Sequence, residues 1–141
     1  MKDGFFRIAA ATPQVYVADV EENLKQIQEK IEQAAGKGCG AVCFPELSLT
    51  AYTCGDLFRD RTLLLQAERA LETLMERTAG LDILCVVGVP VPWEGALYNC
   101  AAVFHRGRLL GLPAKEYIPN YSEFYEARHF SSAPEAQEVS Y

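Results

Sequence analysis

GAVCFPELSLTAYTCGDLF, residues 40–58, decides how this chain is read. Its opening is a short apolar run, Ala41 to Phe44, stopped by Pro45, and Glu46 follows at once. A run of this length bounded by a glycine and a proline reads as a short, fully buried strand, with Glu46 at its carboxyl end. What precedes it reads as a helix. From Asp19 onward the apolar positions Val20, Leu24, Ile27, Ile31 and Ala34 recur at helical spacing, Asp19 can cap the start, and Gly36 and Gly38 can close the end. Before that helix, FRIAAATP is a short strand candidate ending at Pro13.

Beyond a polar loop, Leu64, Ala67, Leu71, Leu74 and Thr78 predict a second amphipathic helix, ended by Gly80. ILCVVGVP then reads as another fully buried strand. ALYNCAAVFH and RLLGLPAK follow as a hairpin joined at HRGR, where Gly107 permits a tight turn. Strand, helix, strand, helix, strand and hairpin imply an α/β layered fold with a mixed sheet.

Composition narrows the chemistry. A chain of 141 residues fits one domain, and half of it is hydrophobic. The formal net charge of -6 argues against nucleic acid as a partner, because Lys and Arg are neither in excess nor clustered. MKDGFFRIAAATP imitates a secretory signal, but Asp3 and Arg7 interrupt its apolar core. No stretch is apolar for long enough to span a membrane. The five cysteines, Cys39, Cys43, Cys54, Cys85 and Cys100, lie mostly in apolar runs without CxxC spacing. They read as reduced core residues of a cytoplasmic protein, not as ligands of a metal. The glycines of GKGCG, residues 36–40, lack the spacing of a phosphate loop and serve a helix end.

In open α/β sheets, sites collect at the carboxyl ends of strands, where Glu46 and Lys115 both fall, each after a proline-stiffened apolar segment. A carboxylate so placed can take a proton from a thiol, and a lysine beside it can stabilise an oxyanion. A structural ion pair at strand ends accounts for the same spacing equally well. Cys54 lies between Glu46 and Asp56 in the sequence, a poor setting for a thiolate, and core packing is its expected role. His105 and His129 sit beside arginines and are expected to be solvated or capping. Tyr117, Phe124, Tyr125 and Phe130 are expected to pack on the sheet edge, with Tyr121 the functional exception.

PELSLTAYTCGDLF, LYNCAAVFHRGRLLG and PAKEYIPNYSEFYEARHF, in that order, resemble the nitrilase-superfamily (carbon-nitrogen hydrolase) glutaminase domains of glutamine-dependent NAD(+) synthetases, from near Phe6 to about Ser132. The resemblance implies a nitrilase-like αββα sandwich, of which residues 1–141 would be the N-terminal portion. It implies Glu46 as general base, Lys115 as the residue that stabilises the tetrahedral intermediate, and Glu126 as the second glutamate that orients the lysine. It puts Tyr52 and Tyr121 near a glutamine pocket and makes Arg128 a structural partner for one of the acids. The family's nucleophilic cysteine would lie a few tens of residues past Lys115, beyond Tyr141, so this chain is expected to be inactive alone. No cofactor is expected in it. ATP and Mg would belong to a C-terminal synthetase domain, the partner that receives ammonia, and a homo-oligomer is expected. The alternatives are another amidase or carbamoylase of the superfamily, or a non-enzymatic truncated module.

Overall fold

The computed structural model describes residues 4–133. Five strands, β1 (Ile8–Ala10), β2 (Ala41–Cys43), β3 (Leu84–Trp93), β4 (Ala96–His105) and β5 (Arg108–Gly111), form one sheet in sequence order. β1, β2 and β3 run parallel, while β4 and β5 are antiparallel additions, so the sheet is mixed. Helix α1 (Val20–Gly36) follows β1 and helix α2 (Arg61–Arg77) follows β2. Both helices start as their sequences dictate: the Asp19 side chain accepts the Glu22 N–H, and the Asp60 side chain accepts the Thr62 N–H.

The helices pack on each other and on β2 and β3. Val20, Leu24, Ile27, Ile31 and Ala34 form the buried face of α1, as the spacing predicts. On α2 the buried set is Leu63, Ala67, Ala70, Leu71 and Leu74, so the face is rotated to Leu63 instead of Leu64. Beneath them lie Val42, Cys85, Val87, Val89, Ala102 and Phe104, each no more than 1% exposed. These alternate along their strands, as residues on one side of a pleated sheet must.

The other side of the sheet is open over β1 and β2, which corrects the reading of β2 as fully buried, whereas β3 is buried on both faces from Val87 to Val91. Ala10, Cys43, Val86 and Val103 stand side by side across four strands. Ala10 and Cys43 are exposed, and Val86 and Val103 are half-buried. Cys43 is therefore not a core residue. Its neighbour Val42 turns to the helices, and a period of two sends Cys43 to the opposite face.

Two tight turns set the hairpins. Glu94 and Gly95 (φ 47° and 80°) join β3 to β4, and Arg106 and Gly107 (φ 49° and 76°) join β4 to β5. Positive φ at both central residues matches the twist of the flanking strands. The β3–β4 ladder runs from Leu84 opposite His105 to Trp93 opposite Ala96, and its far end carries Asn99 opposite Pro90.

Gly88 in β3 fixes what lies on the open face. A Cβ there would sit 2.2 Å from the Leu47 nitrogen and 2.5 Å from the Pro45 carbonyl oxygen. The backbone of residues 45–47 thus crosses the sheet where a side chain is missing. Phe44 N–H donates to the Val86 carbonyl and Leu49 N–H to the Gly88 carbonyl, clamping both ends of that crossing. Gly88→Ala must push backbone against backbone, so we expect a loss of about 2 kcal/mol or more in urea unfolding. Gly80→Ala, with no atom within 4 Å of its added Cβ, serves as the near-neutral control.

Candidate active site

After the crossing, residues 46–50 form a tight turn with Leu47 in the left-handed region (φ 50°). A leucine there is strained, and the turn is held by Thr50 N–H and Ala51 N–H, which both donate to the Leu47 carbonyl. Leu47, Ser48, Leu49 and Thr50 are each no more than 1% exposed. Their burial anchors the turn and leaves Glu46 at its outer end, with half of its side chain exposed.

Lys115 arrives from the other direction. Past β5 the chain keeps company with β4 through an isolated bridge between Cys100 and Ala114. Ala101 N–H donates to the Pro113 carbonyl and Lys115 N–H to the Asn99 carbonyl at 2.8 Å. Farther on, Ser131 N–H donates to the Leu97 carbonyl and Ala133 N–H to the Lys115 carbonyl. That return brings in the short 3-10 turn Glu126–Arg128, whose Glu126 is 5% exposed.

The three charged groups meet. Lys115 Nζ lies 3.2 and 3.0 Å from the two oxygens of Glu46 and 2.9 Å from Glu126 Oε2. Asn99 Nδ2 donates to Glu46 Oε2 at 2.9 Å and to Glu126 Oε1 at 2.7 Å. Burial works to lower the Lys115 ammonium, but hydrogen bonds and charge from Glu126 and Glu46 outweigh it and hold its pKa above 10.5. Tyr52 stands at the rim, 38% exposed. Burial, and then the Glu126 charge, raise its hydroxyl above the usual phenol value, against the pull of Lys115. The phenol stays protonated at neutral pH and can donate a hydrogen bond.

Of the residues singled out in the sequence, Glu46, Lys115, Glu126 and Tyr52 are thus brought together. Tyr121 is 68% exposed and its ring sits edge-on to Phe124. Tyr117 and Tyr125 are 81% and 71% exposed, against the expected packing, whereas Phe130 is buried with its ring edge-on to Phe58. Arg128 pairs with Asp56, at 3.1 Å on the surface, and not with either site glutamate. His105 meets Asp82 at 2.9 Å with its side chain 38% exposed. His129 lies against the Phe58 ring. Asn99 carries no motif of its own. The only sign of it in the sequence is an amide inside the otherwise apolar strand LYNCAAVF.

The buried cysteines are poor nucleophiles. Cys54 is 5% exposed and its Sγ contacts the Thr50 and Ala51 carbonyls. Burial raises its thiol, so desolvation, not the neighbouring acids, disfavours the thiolate. Burial pushes Cys100 up to about 11 and raises Cys85 as well. All five cysteines are free thiols.

Two carboxylates flanking an amine, with one carboxylate open to solvent, is a geometry in which a proton can be taken up beside a cation able to stabilise an oxyanion, and it is equally the geometry of a structural ion-pair cluster. The sequence profile of the carbon-nitrogen hydrolase family matches residues 7–139. The chain belongs to the carbon-nitrogen hydrolase family. Among its relatives, a glutamine-dependent NAD(+) synthetase of Mycobacterium tuberculosis is 36% identical over 128 residues, which is 91% of this chain and 19% of that protein. One of Aquifex aeolicus is 39% identical over 84% of this chain and 21% of its own length. The chain spans about a fifth of the length of these curated relatives. A crystal structure of a glutamine-dependent NAD(+) synthetase from Cytophaga hutchinsonii superposes with a TM-score of 0.90 at 29% identity, covering 96% of this chain and 23% of that one. An amidase from Nesterenkonia superposes at 0.78 with 19% identity, over 96% of this chain and 51% of its own. That last likeness bears on the nitrilase fold alone.

Breaking the cluster should cost stability in a pH-dependent way. Lys115→Met leaves a buried Glu126 carboxylate without its cation and is expected to lose about 3 kcal/mol at pH 8. Because the folded pKa of Lys115 is raised above 10.5, its contribution is full below that pH and is lost as pH climbs through the folded value. Urea unfolding of both proteins between pH 8 and pH 11.5 should therefore show the gap narrowing only at the alkaline end.

Proposed function

We propose that this chain carries the base and oxyanion-stabilising part of a thiol-dependent amide hydrolase acting on the side-chain amide of glutamine. The observation that supports the reading best is Lys115 Nζ held within 3.2 Å of both Glu46 and Glu126, with Glu46 half-exposed where a reacting group can reach it. The kinship with glutamine-dependent NAD(+) synthetases favours glutamine over other amides. In this mechanism Glu46 takes the proton of a cysteine thiol, and the thiolate attacks the amide carbon. Lys115 and a backbone amide steady the oxyanion. The carbon–nitrogen bond then breaks, the proton held by Glu46 passes to the departing nitrogen, and ammonia leaves. Water hydrolyses the remaining thioester to glutamate. Tyr52 and Tyr121 would line the glutamine pocket, Tyr52 as a donor beside Glu126.

The nucleophilic cysteine belongs, in this reading, to a part of the domain outside these 141 residues, as does the synthetase domain that uses ATP and Mg to amidate deamido-NAD with the ammonia. Residues 36–40 do not fit a nucleotide phosphate, because they follow the C-terminal end of α1, where the helix dipole is negative. Among the described residues no group of three His, Cys, Asp or Glu side chains gathers as a metal site. Nor is any described helix long and apolar enough to cross a membrane. Five free thiols suit a reducing compartment, and we place the protein in the cytoplasm.

The open sheet face bears on assembly. Ile8 is 70% exposed, beside exposed Ala10 and Cys43. Apolar surface of this kind seeks a cover, so the isolated 141-residue chain should self-associate. Light scattering that rises with concentration, and falls in an Ile8→Lys variant, is the expected result. A monodisperse monomer at high concentration would count against it.

The test of function is ammonia release from glutamine, assayed in the polypeptide as its gene encodes it and in the 141-residue chain alone. The encoded protein should hydrolyse glutamine in preference to asparagine and simple amides, and Cys54→Ala should not impair it. The isolated chain should release none. Activity of the isolated chain that disappears with Cys54→Ala or Cys43→Ala would show that the thiol has been misassigned.

A further inference from the structure

Asn99 is 3% exposed and both hydrogens of its amide nitrogen are used. One goes to Glu46 Oε2 and the other to Glu126 Oε1. Its peptide carbonyl accepts the Lys115 N–H. A single residue thus ties down both carboxylates by its side chain and the lysine by its backbone. The amide orientation is fixed by chemistry. Turned over, its carbonyl oxygen would face two carboxylates with nothing to donate.

The consequence falls on Glu46. Each carboxylate oxygen offers about two lone-pair directions. Oε2 spends both, on Lys115 at 3.0 Å and Asn99 at 2.9 Å. Oε1 has only the longer Lys115 contact at 3.2 Å, so one of its directions is open. We infer that Asn99 is the positioning residue of the site, which engages one oxygen of Glu46 and leaves Oε1 as the oxygen that accepts the proton of the incoming thiol. In that step the S–H bond breaks and an O–H bond forms on Oε1, and Asn99 itself changes no bond. The choice of an amide follows from its neighbours. The groups facing it are Glu46, Glu126, Lys115 and, at the rim, Tyr52. A third acid would repel the carboxylates and a second cation would compete with Lys115, whereas a neutral double donor orders both acids and adds no charge to the cluster.

This inference rests on the amide-hydrolase reading, and its test separates the two. Asn99→Leu and the isosteric Asn99→Asp are compared with wild type for glutamine hydrolysis in the encoded protein, with cooperative unfolding as the check on folding. The expected result is a fall of about 100-fold in kcat with KM within about twofold, since a misplaced base reacts slowly while substrate binding is untouched. A residue that merely supports the fold would lower the unfolding midpoint and leave kcat of the folded protein alone. A second readout needs no turnover. In the encoded protein without substrate, Asn99→Leu frees the carboxylates from their fixed places, so Lys115 should be acylated faster at pH 9 than in wild type. Unchanged kcat, or an unchanged Lys115 labelling rate, overturns the inference. Lys115→Met with full kcat would instead sink the amide-hydrolase reading itself.

Discussion

A carboxylate with 3% of its side chain exposed has to find partners, and the site is organised by how Glu126 does so. Its two oxygens are met by Asn99 and Lys115 at 2.7 and 2.9 Å. Those same two donors reach Glu46, so the demand of one buried charge fixes the position of the exposed one. What brings Asn99, Lys115 and Glu126 together is backbone pairing: the β4 ladder carries Asn99, the chain after β5 carries Lys115 alongside it, and the segment that pairs at Ser131 and Ala133 carries Glu126.

Glu46 depends on a different economy. Its turn lies on the sheet because Gly88 has no side chain, and the turn contains a leucine at positive φ. Strain of that kind, of order 1–3 kcal/mol, persists only where surrounding burial over-determines it. Here Leu47, Leu49 and Thr50, all essentially inaccessible, supply that burial. The face that bears the turn is also the face without helices, so the apolar strands and the polar site share one open surface.

The two helices were legible because an amphipathic face imposes its own period, and the first also because Asp19 is a side chain that caps helix starts. The mixed α/β sheet and the hairpin at Arg106–Gly107 were legible for similar local reasons. What misled was the apolar run of β2. A strand apolar on both faces reads as buried on both, yet only the Val42 side meets the helices, and Cys43 faces out. Arg128, expected beside one of the site acids, pairs with Asp56 instead. In a 3-10 turn, with three residues per turn, side chains two positions on point apart, so Glu126 goes inward and Arg128 reaches Asp56. Glu46, Lys115 and Glu126 could be picked out by motif. Asn99 could not, since one amide in a strand has no signature until the acids it bridges are in place.

The claim at the centre is that Glu46 serves proton transfer and is not one half of a structural ion pair. The measurement that separates these is Glu46→Gln in the encoded protein, with unfolding free energy and glutamine kcat/KM determined on the same preparation. Gln keeps the shape and can still accept from Asn99, so the account predicts a stability change under about 1 kcal/mol with activity lowered at least about 1,000-fold. Loss of stability with activity intact would contradict it.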